Sequence, residues 1–413
     1  MAASEALGIL GVDSYHFFVY DHDRSHRFYT EKLGWPQVAR SSDEMTEQTG
    51  QRSAVYQSRV GEQGEDLAPR DLVRVVVSSP VRDTCRAARY LRRHPGGVGS
   101  ITYAVEDLDA VWAFLAERDG TPIHAIRETR GPGGGTFRHF SITTAIGDVA
   151  FRFVERRDYD GFAPGFEPVA LDAPENASLA PTDFAYGGID HITSNAPTMI
   201  APKLWMEHVL GMEKVWEISF HTEDVARPDG GTRVTGTGLR SVVVGDPRSG
   251  LKFPFNEPLQ PFFKEGQINK FVEDNWGPGV QHVAVAVDDI VAAVRTLRER
   301  GVEFLETPGS YYDAAPARLA SKGVHVEHID HGLDTLRELG ILIDGSPEDR
   351  YLVQIFMKDA ATTHGDPEAG PFFYELIERR GDPGFGGGNF RALFEAIERE
   401  QLGGGDADPT SDA

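Results

Sequence analysis

An internal duplication constrains this chain more than any other feature of it. G-V-D-S-Y-H-F-F-V (11–19) matches G-I-D-H-I-T-S-N-A (188–196), and G-V-G-S-I-T-Y-A-V-E-D-L-D-A-V (97–111) matches G-V-Q-H-V-A-V-A-V-D-D-I-V-A-A-V (279–294). A-F-R-F-V-E-R-R (150–157) matches F-Y-E-L-I-E-R-R (373–380). Matched segments in the same order specify the same supersecondary units twice. The offset grows before the last pair, so the second copy carries an insertion there. Each half reads as two βαβββ modules, in which a strand-like run leads into a helix pattern stopped by glycine, as at Gly34 and Gly301.

The two copies differ where it matters chemically. Ser14 stands opposite His191, Ser100 opposite His282 and Arg152 opposite Glu375. Two imidazoles and a carboxylate form the ligand set that holds one face of a ferrous ion and leaves positions open for substrate and O2. Two serines and an arginine cannot form it, and the guanidinium would repel the cation. The duplication therefore predicts one fold in both halves and a metal site only in the second. Glu155 and Glu378 occupy equivalent positions in both copies, which predicts a shared structural role such as pairing with an arginine.

Composition sets the outer bounds. At 413 residues the chain is long enough for two substantial cores. Its net charge of −23 argues against nucleic acid and anionic membrane surfaces as partners. No apolar run reaches transmembrane length, and the N-terminus lacks the basic region of a signal peptide. The single cysteine, Cys85, excludes an intrachain disulfide and fits a reducing cytoplasm; it reads as a structural thiol in a helix.

We expect a first domain over 1–157, a surface linker rich in Pro, Ala and Gly over 158–186, a second domain over 187–401, and a disordered acidic tail over 402–413. Phe390, Leu393, Phe394 and Ile397 fall on one face of a C-terminal helix (389–401) that follows the glycine-rich G-F-G-G-G (384–388), an arrangement suited to a lid. The H-V-E-H-I-D-H tract (325–331) invites a zinc reading, but its spacing gives no tight site by itself and a solvated loop is expected. G-P-G-G-G-T (131–136) lacks the Lys-Ser/Thr of a phosphate loop and reads as a turn. Gln281 and Gln354 lie inside apolar strands and need partners if buried.

Several longer segments together resemble one family. F-P-F-N-E-P (253–258), G-P-G-V-Q-H-V-A (277–284), T-P-G-S-Y-Y-D (307–313), L-R-E-L-G-I-L-I-D (336–344), Y-L-V-Q-I-F (351–356) and G-F-G-G-G-N-F-R-A-L-F-E-A-I-E-R-E-Q (384–401) are similar to 4-hydroxyphenylpyruvate dioxygenases. The resemblance implies an α+β vicinal-oxygen-chelate fold of the glyoxalase and extradiol-dioxygenase kind, with four βαβββ modules in two domains and a C-terminal lid helix. It implies Fe(2+) on His191, His282 and Glu375. It also implies a substrate pocket of Ser241, Asn256, Gln267, Gln281, Gln354, Phe356, Phe373, Asn389 and Phe390, in which the rings of Phe356 and Phe373 sandwich the substrate ring and Asn256, Gln267 and Gln281 serve catalysis. The activity implied is conversion of 4-hydroxyphenylpyruvate and O2 to homogentisate and CO2, as in tyrosine and phenylalanine catabolism. The expected partners are that 2-oxoacid, O2 and further copies of the chain in a homo-oligomer.

Three other readings share some of these features. Hydroxymandelate synthase uses the same substrate and metal, but tends to carry aliphatic residues where this chain has Asn256 and Phe390. An extradiol ring-cleaving dioxygenase would need a catechol and no 2-oxoacid. A non-catalytic small-molecule binding protein of the same fold would ignore iron. The stretches 326–334 and 360–370 depart from the family pattern in length and acidity.

Overall fold

The computed structural model describes residues 7–61, 67–221, 238–259 and 266–389. The first half contributes β1 (Ile9–Phe18), β2 (Gln37–Ser41), β3 (Gln51–Gln57), β4 (Arg74–Pro80), β5 (Gly97–Val105), β6 (Pro122–Arg130), β7 (Thr136–Thr143), β8 (Ala150–Arg157) and β9 (Phe166–Pro168). They form one sheet in the order β6-β7-β8-β5-β1-β4-β3-β2-β9. The second half contributes β10 (Tyr186–Asn195), β11 (Glu213–His221), β12 (Gly238–Gly245), β13 (Lys252–Pro258), β14 (Gly279–Val287), β15 (Leu342–Ser346), β16 (Arg350–Phe356) and β17 (Phe373–Arg380). Their order is β11-β12-β13-β10-β14-β17-β16-β15, the same plan without the extra edge strand.

Strand register bears out the duplication residue by residue. In the first sheet Ser14 pairs with Thr102, and Thr102 with Arg152. In the second, His191 pairs with Ala284, and Ala284 with Glu375. His16 pairs with Ser100 as Thr193 pairs with His282. The insertion lies between β14 and β15, as helices Gly309–Ser321 and Leu333–Leu339, with a further short helix, Ala360–His364, between β16 and β17.

Alternation along each strand sends one set of side chains to the concave face and the other to a core. In β1, Tyr15 and Phe17 point away from Ser14 and His16 into a core shared by both halves. There Phe17 packs on Phe372 with ring centroids 4.9 Å apart, and the Tyr374 hydroxyl meets those of Tyr15 and Tyr29. The module helices are anchored alike. A carboxylate oxygen of Glu155 accepts from the N–H of Leu108 at 2.8 Å, opening helix Leu108–Ala116. Glu378 does the same for Ile290 at 2.8 Å, opening helix Ile290–Glu299. Both glutamates also face arginines, Arg138 and Arg380.

The 158–186 stretch is more than a connector. Phe166–Pro168 adds a strand to the edge of β2, and buried Asn176 bonds the backbone of Gln37 in both directions. Cys85 is buried, and its Sγ accepts from the N–H of Ala88 at the start of helix Arg86–Leu91. G-P-G-G-G-T forms the β6–β7 turn. No described helix is long and apolar enough to cross a membrane. The expected lid helix lies, after Asn389, outside the described residues, as does the tail.

Candidate metal centre

Three neighbouring strands of the second sheet bring His191, His282 and Glu375 together on its concave face. All three are buried. Nε2 of His191 and Nε2 of His282 each lie 3.3 Å from the same oxygen, Oε2 of Glu375. Two donors ~2.1 Å from one ion and at right angles are themselves ~3 Å apart, so this spacing suits ligands around a common centre. Nε2 of His282 and Oε1 of Glu375 are shut off from solvent with no hydrogen-bond partner among the described residues. Buried polar atoms left bare are costly unless something else binds them. The donor set therefore fits a divalent cation.

Neighbouring groups set the orientation of the two imidazoles. Nδ1 of His191 donates to Oδ1 of Asp190 at 2.8 Å, which turns Nε2 toward the centre. Asp190 is itself held by both arms of Arg379, at 2.6 and 2.8 Å. Arg379 in turn donates to the carbonyls of Asp382 and Gly384. Nδ1 of His282 faces Oε1 of Gln281 at 3.1 Å. Burial pulls the His191 pKa down, but the Glu375 carboxylate and the bond to Asp190 outweigh it and lift the pKa to about 9. Burial wins at His282, whose pKa falls below the ordinary imidazole value. Burial pushes the Glu375 carboxyl up, yet His191 and then His282 hold it below its usual range. Against the same upward push, Arg379 and then His191 hold Asp190 far below the carboxylate range.

Around the triad lies a patch of bare polar atoms. Thr193 Oγ1, Asn195 Nδ2, Ser241 Oγ and Asn256 Oδ1 are all buried without partners among the described residues. Ser241 and Asn256 sit opposite each other on β12 and β13, and Asn256 donates to Asn195 at 2.9 Å. Gln354 and Phe356 line a narrow cavity with the triad, Arg379 and Phe385. Gln267, Gln281 and Phe373 line an adjoining open cleft.

Two expectations meet a different geometry. The rings of Phe356 and Phe373 are 6.3 Å apart and nearly perpendicular, while Phe373 stacks on His282 at 4.9 Å. Edge-to-face contact is what two rings prefer with nothing between them, so the parallel slot is not formed here. Asn389 is fully buried, but its amide serves the Tyr311 hydroxyl and the backbone of Ile343 and Asp344, which ties residues 386–389 to β15. Phe390 lies outside the described residues.

Sequence reasoning missed Asp190, Thr193, Asn195, Arg379 and Phe385. Phe385 packs its ring 5.3 Å from that of His191; an aromatic inside a glycine-rich run was the available clue. The histidine tract is an exposed short turn in which His325 and His328 both face Asp349, at 2.8 and 3.0 Å. His331 turns inward to Glu378 at 3.2 Å.

Comparison with known proteins agrees with this construction. The model of the Glyoxalase/Bleomycin resistance protein/Dioxygenase superfamily matches residues 11–151 and 188–317. A probable 4-hydroxyphenylpyruvate dioxygenase 2 from Aspergillus fumigatus is 34% identical, covering 95% of this chain and 94% of its own length. The 4-hydroxyphenylpyruvate dioxygenase of Caenorhabditis elegans is also 34% identical, over 80% of this chain and 79% of its own. A mutant of 4-hydroxymandelate synthase from Streptomyces coelicolor superposes with a TM-score of 0.73 at 25% identity, covering 96% of this chain and all of that one. With this likeness running through both halves of its length, the chain belongs to the 4-hydroxyphenylpyruvate dioxygenase family of the glyoxalase and dioxygenase superfamily.

Proposed function

We propose that the second cup holds Fe(II) on His191, His282 and Glu375 and converts 4-hydroxyphenylpyruvate and O2 to homogentisate and CO2. The observation that carries this reading is the convergence of two imidazole nitrogens on one carboxylate oxygen, with His282 Nε2 and Glu375 Oε1 left bare. When bound, the iron supplies the O2 chemistry. Two neutral imidazoles, one carboxylate and a divalent cation leave a local charge of +1, which attracts an anionic 2-oxoacid into a chain of net charge −23.

The residues of the chain bind and orient. Ser241, Asn256 and Asn195 offer uncharged donors and acceptors suited to a phenol hydroxyl, and an analogue lacking that hydroxyl would leave them bare. Gln354 reaches the cavity beside the triad. Gln281 braces His282 through Nδ1, and Gln267 and Gln281 border the cleft through which substrate would enter. Phe356 and Phe373 supply the apolar walls. A substrate ring between them requires Phe373 to leave His282 and turn parallel to Phe356.

The test is anaerobic reconstitution with Fe(II), then addition of 4-hydroxyphenylpyruvate and O2, with products separated by chromatography. Homogentisate with CO2 is the expected result. Hydroxymandelate would keep the metal site and overturn the reading of the pocket. Absence of O2 uptake would overturn both.

A further inference from the structure

The first half has kept the cup and inverted its charge. Register carries each second-half pocket position onto a first-half residue. Ser53 and Ser78 pair across β3 and β4 as Ser241 and Asn256 do across β12 and β13. His139 stands where Gln354 stands, and Ser141 where Phe356 does. Ala150 replaces Phe373, and Arg152 replaces Glu375. Ser53, Ser78 and His139 keep three positions polar, Phe18 and Gly99 stand where Asn195 and Gln281 do, both clamp rings are gone and the carboxylate has become a guanidinium.

The resulting cup is cationic. Arg152 makes no side-chain hydrogen bond or ion pair among the described residues, and its Nε and Nδ1 of His139 are buried and bare. Arg152, His16, His139 and Ser141 are half-buried. Arg86 lies at its rim, exposed, with its guanidinium 5.5 Å from the Phe18 ring centroid and one bond to the carbonyl of Gly99. The neighbouring carboxylate, Asp13, is already engaged by Arg156 and Arg74. On the opposite wall, Ser78 Oγ meets His16 Nε2 and Ser53 Oγ, each at 2.6 Å. Burial, then Arg86 and Arg152, depress the His16 pKa well below its ordinary value. Burial and then Arg152 hold His139 at about 3. The excess positive charge of the cup is thus felt by both imidazoles.

We propose that the first-half cup is a binding site for a small, non-aromatic oxyanion, a carboxylate or a phosphate, with Arg152 as its charged anchor. A guanidinium that lies over the Phe137 ring at 5.8 Å with its Nε–H free, flanked by hydroxyls and imidazoles, matches an anion's acceptors. Loss of both rings removes what an aromatic ligand would need. This inference rests on the first half alone and stands or falls apart from the reading of the second.

The test follows the imidazole signals of His16 and His139 by NMR in the histidine-labelled full chain, as inorganic phosphate and, separately, acetate are added. Saturable shifts are expected with at least one probe, and which probe acts identifies the anion class. Arg152→Gln should weaken binding by about tenfold or more, the scale of one lost charge-assisted hydrogen bond, while Arg152→Lys keeps part of it. If Arg152→Gln fails to give a folded melting transition, Arg86→Gln at the exposed rim is measured instead, with a smaller loss expected. Linear, non-saturating shifts with both probes, or saturable binding unchanged in the arginine variants, would overturn the proposal.

Discussion

At the scale of single residues, His191 depends on its neighbour. Asp190 fixes the His191 tautomer and raises its pKa, and Arg379 fixes Asp190. Without metal, His191 carries a proton below pH about 9, so a metal ion must displace that proton. The sign follows directly: apparent affinity should rise about tenfold per pH unit below that pKa and level off above it. Co(II) titrations at several pH values would check this, and a flat profile between about pH 7 and 8.5 would contradict it. Asp190→Asn should lower metal affinity about 10–100-fold and flatten the slope, because the imidazole pKa falls. Glu375→Ala should abolish turnover and iron retention together, measured by metal analysis of the purified protein; retained iron would take Glu375 out of the ligand set. The three proposed ligands were readable in the sequence because the other copy lacks them. Asp190 and Arg379 were hidden for the opposite reason. They recur as Asp13 and Arg156, paired at 2.6 Å, so a search for differences between the copies passes over them.

At the scale of elements, the same sameness has a structural meaning. The Asp–Arg pair ties β1 to β8 and β10 to β17, and the repeated glutamate on β8 and β17 ties each to its module helix. The strands of the matched segments were legible because alternation and the repeat agree; the order in which they pair was not read. The β9 edge strand was not legible, since three residues carry no period, and neither was the closed pose of Phe373, which depends on what lies beside it. Glu155→Ala removes an acceptor from the N–H of Leu108 and one of the three carboxylates facing Arg138, which keeps Asp109 and Glu128. A loss of about 1–3 kcal/mol is expected, the cost of a buried group left unpaired. Urea unfolding should report it as a lower midpoint with an unchanged slope. A change within about 0.5 kcal/mol, the level of a neutral surface substitution, would mean the helix start does not need the carboxylate.

At the scale of the whole molecule, the question is whether two copies of one fold act as two bodies. Their concave faces carry different side chains, but their backs share a core. One continuous apolar cluster runs from Leu7 and Val12 through Tyr15, Tyr29 and Trp35 to Tyr186, Phe253, Phe372 and Tyr374. Trp35 packs edge-on against Tyr186 at 5.5 Å, and Tyr103 against Phe253 at 6.3 Å. Each fully buried side chain of this kind contributes ~1.5–3 kcal/mol relative to exposure, so parting the halves would expose a large share of what stabilises either. Polar contacts cross the same boundary: His94 Nδ1 donates to the carbonyl of Asn275 at 2.7 Å, and the Tyr374 hydroxyl meets those of Tyr15 and Tyr29. Multidomain chains commonly unfold in steps; this one should not. Calorimetry of the full chain should give one endotherm. Tyr374→Phe, which deprives two buried hydroxyls of their partner, should move that whole transition down by about 1–3 kcal/mol of stability. Two resolved endotherms, with Tyr374→Phe shifting only one, would mean that the shared core couples the halves less than its burial implies.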